Sequence, residues 1–131
     1  MAFDNLSFFN LASDRLNWLG SRQQVTSENI ANADTPGYRA RDVDAFEDLL
    51  KRSAPLRGLE TTNGKHISSG DVGGVRVRED RVPWEESIDG NSVVLEQQVM
   101  RASETADSYR LAADLYRKGH DLLTLAATGM R

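Results

Sequence analysis

The sequence predicts a mainly α chain whose two ends form long helices, paired as an antiparallel coiled-coil-like hairpin, with an irregular, weakly β middle segment. Two observations carry this reading. Apolar and small residues recur at alternating spacings of three and four along both ends, which marks one face of a helix. Residues 54–91 instead gather Gly58, Gly64, Gly70, Gly73, Gly74 and Gly90 with Pro55 and Pro83, and these residues interrupt helices and strands alike.

The N-terminal helix is expected within residues 1–34. Phe9, Ala12, Leu16, Leu19, Gln23, Thr26, Ile30 and Ala33 form its heptad stripe. The polar Gln23 and Thr26 weaken such a seam and set its register. Gly20 lowers helix propensity locally by about 1 kcal/mol relative to alanine. A turn and connector follow over 35–53. The residue before a proline is driven out of the α region, so Thr35 stops the helix. Pro36-Gly37 suits the centre of a type II turn, with glycine supplying positive φ. Asn32 and Asp34 tolerate a left-handed backbone and can bond free helix carbonyls or turn amides. Tyr38 and Arg39 are presented just beyond.

The C-terminal helix is expected within 92–131. Leu95, Val99, Ala102, Ala106, Tyr109, Ala113, Tyr116, His120, Leu123 and Ala127 repeat at four and three without a slip. A helix of that length spans on the order of 50 Å. Asp89, Gly90, Asn91 and Ser92 read as its turn and N-cap, and Glu96 suits the dipole of its first turn. Leu111, Leu115, Leu122 and Leu125 lie beside the stripe and widen the apolar face. We expect Leu16, Leu19, Ile30, Val99, Tyr109, Tyr116 and Leu123, with Phe9, to pair the helices within the chain. The flanking Leu111, Leu115 and Leu122 are left for neighbouring chains. In the middle segment, 54–91, Asn63-Gly64 signals a hairpin and Val72, Val75 and Val77 a further short strand. Such pieces are too small for an independent sheet core.

Composition narrows the function. The 131 residues allow one domain with a modest core. Hydrophobic residues make up 39% and charged residues 27%, with a mean hydropathy of −0.52. So polar a chain is expected to keep frayed ends when alone and to order them on assembly. The net charge of −4 comes from interspersed acids and bases, without a basic run, which argues against a nucleic-acid partner. There are no cysteines, so disulfides and thiolate metal sites are excluded. MAFDNLSFFNLASDRL carries Asp4 where a secretory signal has its basic region, and no continuous apolar run. No stretch reaches the roughly 18 apolar residues of a membrane span.

No chemistry emerges from the motifs. His66 and His120 are the chain's two histidines, and each reads as a structural residue rather than a metal ligand. Glu85-Glu86 with Asp80 is solvated charge rather than an acid/base pair. Gly70 to Gly74 lacks the spacing and trailing Lys-Ser/Thr of a phosphate loop. Nothing resembles a nucleophile elbow or an SxxK motif. Glu79 and Asp80 interrupt the small basic cluster of Arg76, Arg78 and Arg81. No catalytic residue, cofactor or metal is expected, and the enzyme reading is set aside.

Ser27 to Tyr38, reading SENIANADTPGY, resembles the N-terminal signature of the bacterial flagellar axial proteins (rod, hook and hook-associated). The matching positions are Asn29, Ile30, Ala31, Asn32, Thr35, Pro36, Gly37 and Tyr38. The continuation Arg39 to Val43 is similar to the proximal members of the basal-body rod protein family. So is a second motif, Asp89, Gly90, Asn91, Leu95 and Glu96, with Met100 and Ala102 beyond it. The resemblance covers both ends and skips the middle, and Asp114 to Arg131 is only loosely similar. It implies a structural subunit of the rod that crosses the periplasm from motor to hook. It also implies export through the flagellar type III apparatus without a cleaved signal. The implied partners are other copies of the chain, other rod and rod-base proteins, and the export apparatus. Two alternatives stand beside it: a sibling rod protein of another layer, and a soluble two-helix adaptor that binds a partner helix through its leucines.

Overall fold

The structure, a computed structural model, describes residues 2–53 and 74–129, with side chains from Ser7 onward in the first helix. The order is α1 (Ala2–Ala31), β1 (Arg41–Val43), α2 (Phe46–Ser53), β2 (Val77–Glu79) and α3 (Leu95–Thr128). The hairpin read from Asn63-Gly64, together with His66, the Gly70 stretch and Val72, lies outside the described residues.

The two expected long helices are present, with 30 residues in α1 and 34 in α3. They run antiparallel. Phe9 near the start of α1 packs its ring 5.4 Å from Tyr116 and 4.6 Å from His120, late in α3. Asn29 near the end of α1 bonds Gln98 near the start of α3. α1 runs through Gly20 without a break, because burial on both sides of that glycine outweighs its weak propensity.

The seam is not the one the apolar stripe describes. Leu19 is 1% exposed, and Leu16, Phe9 and Tyr116 are half-buried, as a helix pair requires. Ile30, Val99, Tyr109 and Leu123, expected in the same seam, are exposed, Val99 by 59%. On α3 the contact line runs through Gln98, Thr105, Ala112 and Gly119. Each stands one position before a member of the expected stripe, a rotation of about 100°. The polar Gln98 is turned inward because Asn29 across the seam gives it a partner, and the apolar stripe turns partly outward with it. Gly119 lets the helices close: a Cβ there would stand 2.7 Å from Phe8 Cε1 and 3.3 Å from Phe9 Cε1.

α1 also buries a second stripe that the sequence reading did not isolate. Trp18, Arg22, Val25 and Asn29 follow at four, three and four, on the side that meets the segment after α1. Trp18 and Val25 form a small core there with Val43 and Leu49, against which Phe46 and Val75 pack. The Trp18 indole donates to the Asp44 carbonyl at 2.7 Å and lies 5.9 Å from the Phe46 ring. The Arg15 guanidinium sits over both rings at 4.7 and 4.9 Å. β1 and β2 pair antiparallel, Arg41 opposite Glu79 and Val43 opposite Val77. So Val77 does begin a strand, but its partner comes from the connector after α1. Asp44 then accepts from Arg52 and Arg78, each at 3.0 Å, and fixes α2 to this ladder.

Leu19→Ala should cost about 2–5 kcal/mol in urea denaturation, since it opens a cavity in the seam. Val99→Ala should change stability by under about 0.5 kcal/mol. Equal costs at the two positions would contradict the rotated seam.

Candidate functional site

The structure brings the two sequence motifs into one polar junction, where the end of α1, the turn after it and the strand before α3 interlock. The N-terminal motif supplies the turn. Tyr38 N donates to Thr35 O at 3.2 Å across Pro36-Gly37, and Gly37 has a φ of +72°, the geometry expected of a type II turn. Among the described residues only glycines have positive φ. Asn32 therefore does not use the left-handed backbone open to it. It caps instead, donating from Nδ2 to Glu28 O at 2.8 Å, while its Oδ1 accepts from the Thr35 hydroxyl at 3.2 Å.

The second motif does something the sequence did not suggest. Asp89 to Ser92 was expected to cap the C-terminal helix. α3 starts later, at Leu95, after Val94, whose side chain makes no cap. The polar side chains of the motif serve the end of α1 and the segment leaving it. Asn91 Nδ2 lies 2.9, 2.9 and 2.8 Å from the carbonyls of Asn32, Ala33 and Thr35. All three lie in the turn just past Ala31, where α1 ends, beyond the reach of the helix ladder. Asn91 Oδ1 accepts from Val93 N at 2.8 Å, which aims the amide. Ser92 N donates to Tyr38 O at 3.1 Å, and Ser92 Oγ accepts from Ala40 N at 2.8 Å. Gly37 N donates to Asp89 O at 3.0 Å. Gly90, at φ +82°, lets the two turns pass closely: a Cβ on it would stand 3.6 Å from Gly37 Cα.

Asn29 anchors the other side. Its side chain is 0% exposed. Its Oδ1 accepts from Arg41 N at 3.0 Å and from the Tyr38 hydroxyl at 3.3 Å. Its Nδ2 donates to Arg41 O at 2.7 Å and to Gln98 Oε1 at 3.0 Å. Every donor and acceptor of the amide is used. Asn29 thus holds the Arg41 peptide groups as a neighbouring strand would, and ties them to α3. Charges surround this centre. Arg101 reaches Asp80 at 2.7 Å and Asp42 at 3.5 Å, and Arg22 reaches Asp42 at 3.4 Å. Gln97, with its amide oxygen turned toward them, accepts from Trp84 Nε1 at 3.1 Å and Arg101 Nη2 at 3.2 Å. Arg39 pairs with Glu86 at 3.1 Å, and Arg41 with Glu28 at 3.0 Å.

The remaining expected site residues divide by exposure. Ala31 ends α1 on the surface, and Leu95 and Glu96 begin α3 there. Leu111, Leu115 and Leu122 are exposed, Leu122 at the edge of a pocket it shares with Phe8 and Phe9 of α1. Gln98 and Arg101, which complete the junction, were not singled out from the sequence. Their signal is only that polar residues sit on an inward helical line. Asp80 and Glu86 each bond an arginine, so they form no acid/base pair. Among the described residues, no group of three or more His, Asp or Glu side chains is placed to hold a metal, and no helix is long and apolar enough to cross a membrane.

Comparison with known proteins agrees with the two motifs. The family model described as "Flagella basal body rod protein" matches residues 9–39. A flagellar basal body rod protein FlgB of Agrobacterium fabrum is 32% identical over 92% of each chain. That of Salmonella typhimurium is 36% identical over 75% of this chain and 76% of its own. That of Escherichia coli is 31% identical over 76% of this chain and 77% of its own.

Asn29→Asp should destabilise the fold by about 1–3 kcal/mol, because the carboxylate would face Arg41 O and Gln98 Oε1 with no proton to offer. Burial beside those oxygens raises the new carboxyl's pKa, so the folded state binds the extra proton and stability should recover as pH falls. A loss that does not shrink on acidification would contradict this. For Asn91→Ala, amide hydrogen exchange should quicken across Asn32 to Tyr38 while mid-α3 amides stay protected.

Proposed function

The chain belongs to the flagellar basal body rod protein family, and from that premise we infer that it is a structural subunit of the rod, placed at its proximal end. It works by assembly, not by catalysis. The observation that carries this reading is the likeness to rod proteins over 92% of both chains. The interlocking of both motifs in one junction supports it, because the two stretches then have a mechanical task to perform.

That task is stiffness. A drive shaft must carry torque from subunit to subunit without letting each subunit shear internally. The α1–α3 pair supplies the long elements. The Asn29 and Asn91 junction ties both helices to the segment that leaves them, through bonds to main-chain atoms rather than through flexible side-chain contacts alone. Its partners are other basal-body components, including further copies of itself. Head-to-tail contacts between such subunits build an open helical tube, and a rod needs such contacts.

Export fits the same reading. The chain would pass the flagellar type III apparatus unfolded or partly folded, without a cleaved signal. A seam that buries Thr26, Gln97, Gln98 and Thr105 beside few large apolar residues gives modest stability to the lone subunit. Exposed leucines on α3 leave apolar surface for assembly to bury.

Peptide mass spectrometry of purified hook–basal bodies should find the chain at near-stoichiometric amounts, uncleaved at its N-terminus. Its absence there, with abundance in the cytosol, would overturn the rod reading. Circular dichroism of the dilute protein should show less helix than the 30 and 34 residues of α1 and α3 would give. A fully helical, cooperatively melting monomer would contradict assembly-coupled ordering.

A further inference from the structure

The rotated seam leaves a coiled-coil face of α3 unfilled. Leu95, Val99, Ala102, Ala106, Tyr109 and Ala113 recur at four and three, the repeat that brings side chains to a helix–helix seam. α1 packs one position earlier, on Gln98, Thr105 and Ala112. Leu95, Val99 and Tyr109 therefore stand exposed, and the three alanines are half-buried.

This face matches itself in one orientation. Two copies of α3, laid antiparallel about a two-fold axis at Glu104, set Leu95 against Ala113 of the other copy, Val99 against Tyr109 and Ala102 against Ala106. Alanine meets alanine beside the axis, so the backbones can approach closely, and the outermost leucines fall on alanine as well. The charges agree. The open flank, one position after Leu95, Ala102 and Tyr109, carries Glu96, Ser103 and Arg110. The same axis sets Glu96 across from Arg110 of the other copy, and Arg110 across from Glu96, so one contact forms two ion pairs. Among the described residues Glu96 joins no ion pair, and Arg110 joins only the surface pair with Asp107 at 3.8 Å. The opposite flank, Gln98, Thr105 and Ala112, bears no charge to resist the approach. A parallel pairing would stack Tyr109 on Tyr109 and give Glu96 and Arg110 no opposite charge.

Both copies use the same surface in this contact, so it closes at two and cannot propagate as a rod contact must. We propose that the Leu95–Ala113 face of α3 pairs antiparallel with the same face of a second copy, giving a closed dimer that shields this face until the subunit is built into the rod. The pairing stands on the residues above, and only its place before assembly rests on the rod-subunit reading.

The chain has no cysteine, so crosslinking can read the register. Ala102→Cys and Ala106→Cys chains, mixed and oxidised, should form a disulfide more readily than either chain alone. Sedimentation equilibrium of the wild type should show monomer and dimer and nothing larger. Glu96→Arg and Arg110→Glu each set like charges across the axis and should weaken the dimer by about tenfold or more, while circular dichroism shows both chains folded. Mixing these two variants should restore wild-type association, because each charge then meets its opposite on the other chain. A wild type that stays monomeric at the highest concentration, growth beyond dimers, crosslinking of one cysteine chain alone as strong as in the mixture, or no recovery on mixing the charge variants would each overturn the proposal. In cells, a bismaleimide should trap the dimer of the doubly substituted Ala102→Cys, Ala106→Cys chain in the cytosol and not in basal bodies. Trapped dimer in basal bodies overturns its place before assembly. Absence of the wild-type chain from basal bodies overturns the rod reading and that place with it, while the α3 pairing in solution stands.

Discussion

Much of this structure depends on one buried amide. Asn29 has no exposure, so both halves of its side chain must find partners inside the protein. It finds them in the main chain of Arg41 and in Gln98. Those partners lie on the strand after the turn and on the far helix, so satisfying a single side chain fixes three elements at once. The rotation of α3 follows from it. Gln98 must point inward to accept from Asn29, and the line one heptad on, Thr105 and then Ala112, turns inward with it. Leu19 packs where that line lets it, and Val99 is carried to the surface.

The second asparagine works by a different rule. Helix ends carry carbonyls that nothing inside the helix can bond. Asn32 serves Glu28 locally, and Asn91, some 60 residues away in sequence, bridges the three carbonyls of the turn that follows α1. A local cap stabilises α1 alone. A distant cap makes the end of α1 depend on the approach to α3, so neither helix end is complete until both are placed. Polar bonds of this kind favour one register strongly, because a slip leaves several buried groups unpaired.

Large parts of this were readable in the sequence. The three-and-four spacings gave both long helices and their antiparallel pairing, and Thr35-Pro36-Gly37 gave the turn with its positive φ at Gly37. The seam was read one residue out because periodicity arguments follow apolar side chains, and here polar ones hold the centre. Nothing in a single sequence says that Asn29 and Gln98 are partners. Asp89 to Ser92 was assigned to the nearest helix, as capping signals are by habit. That its side chains act on α1 is a long-range fact, invisible to rules about neighbours. Trp18 and Val25 stood seven apart in plain view, but a second buried stripe on one helix has meaning only once a second element, here α2 with the β ladder, lies against it.

The pinch made by Asn91 has an evolutionary consequence. It closes the chain on itself between Thr35 and Asn91, and the β1–β2 ladder closes it again between Val43 and Val77. Sequence inserted between Ser53 and Gly74 lies beyond both closures. Its length enters the stability of the helix pair only through loop entropy, about 0.6 kcal/mol for each doubling. A scaffold of this design can therefore exchange its middle for a shorter, longer or larger module while the paired ends remain the same. One helix pair of this kind can thus carry middles that differ in size.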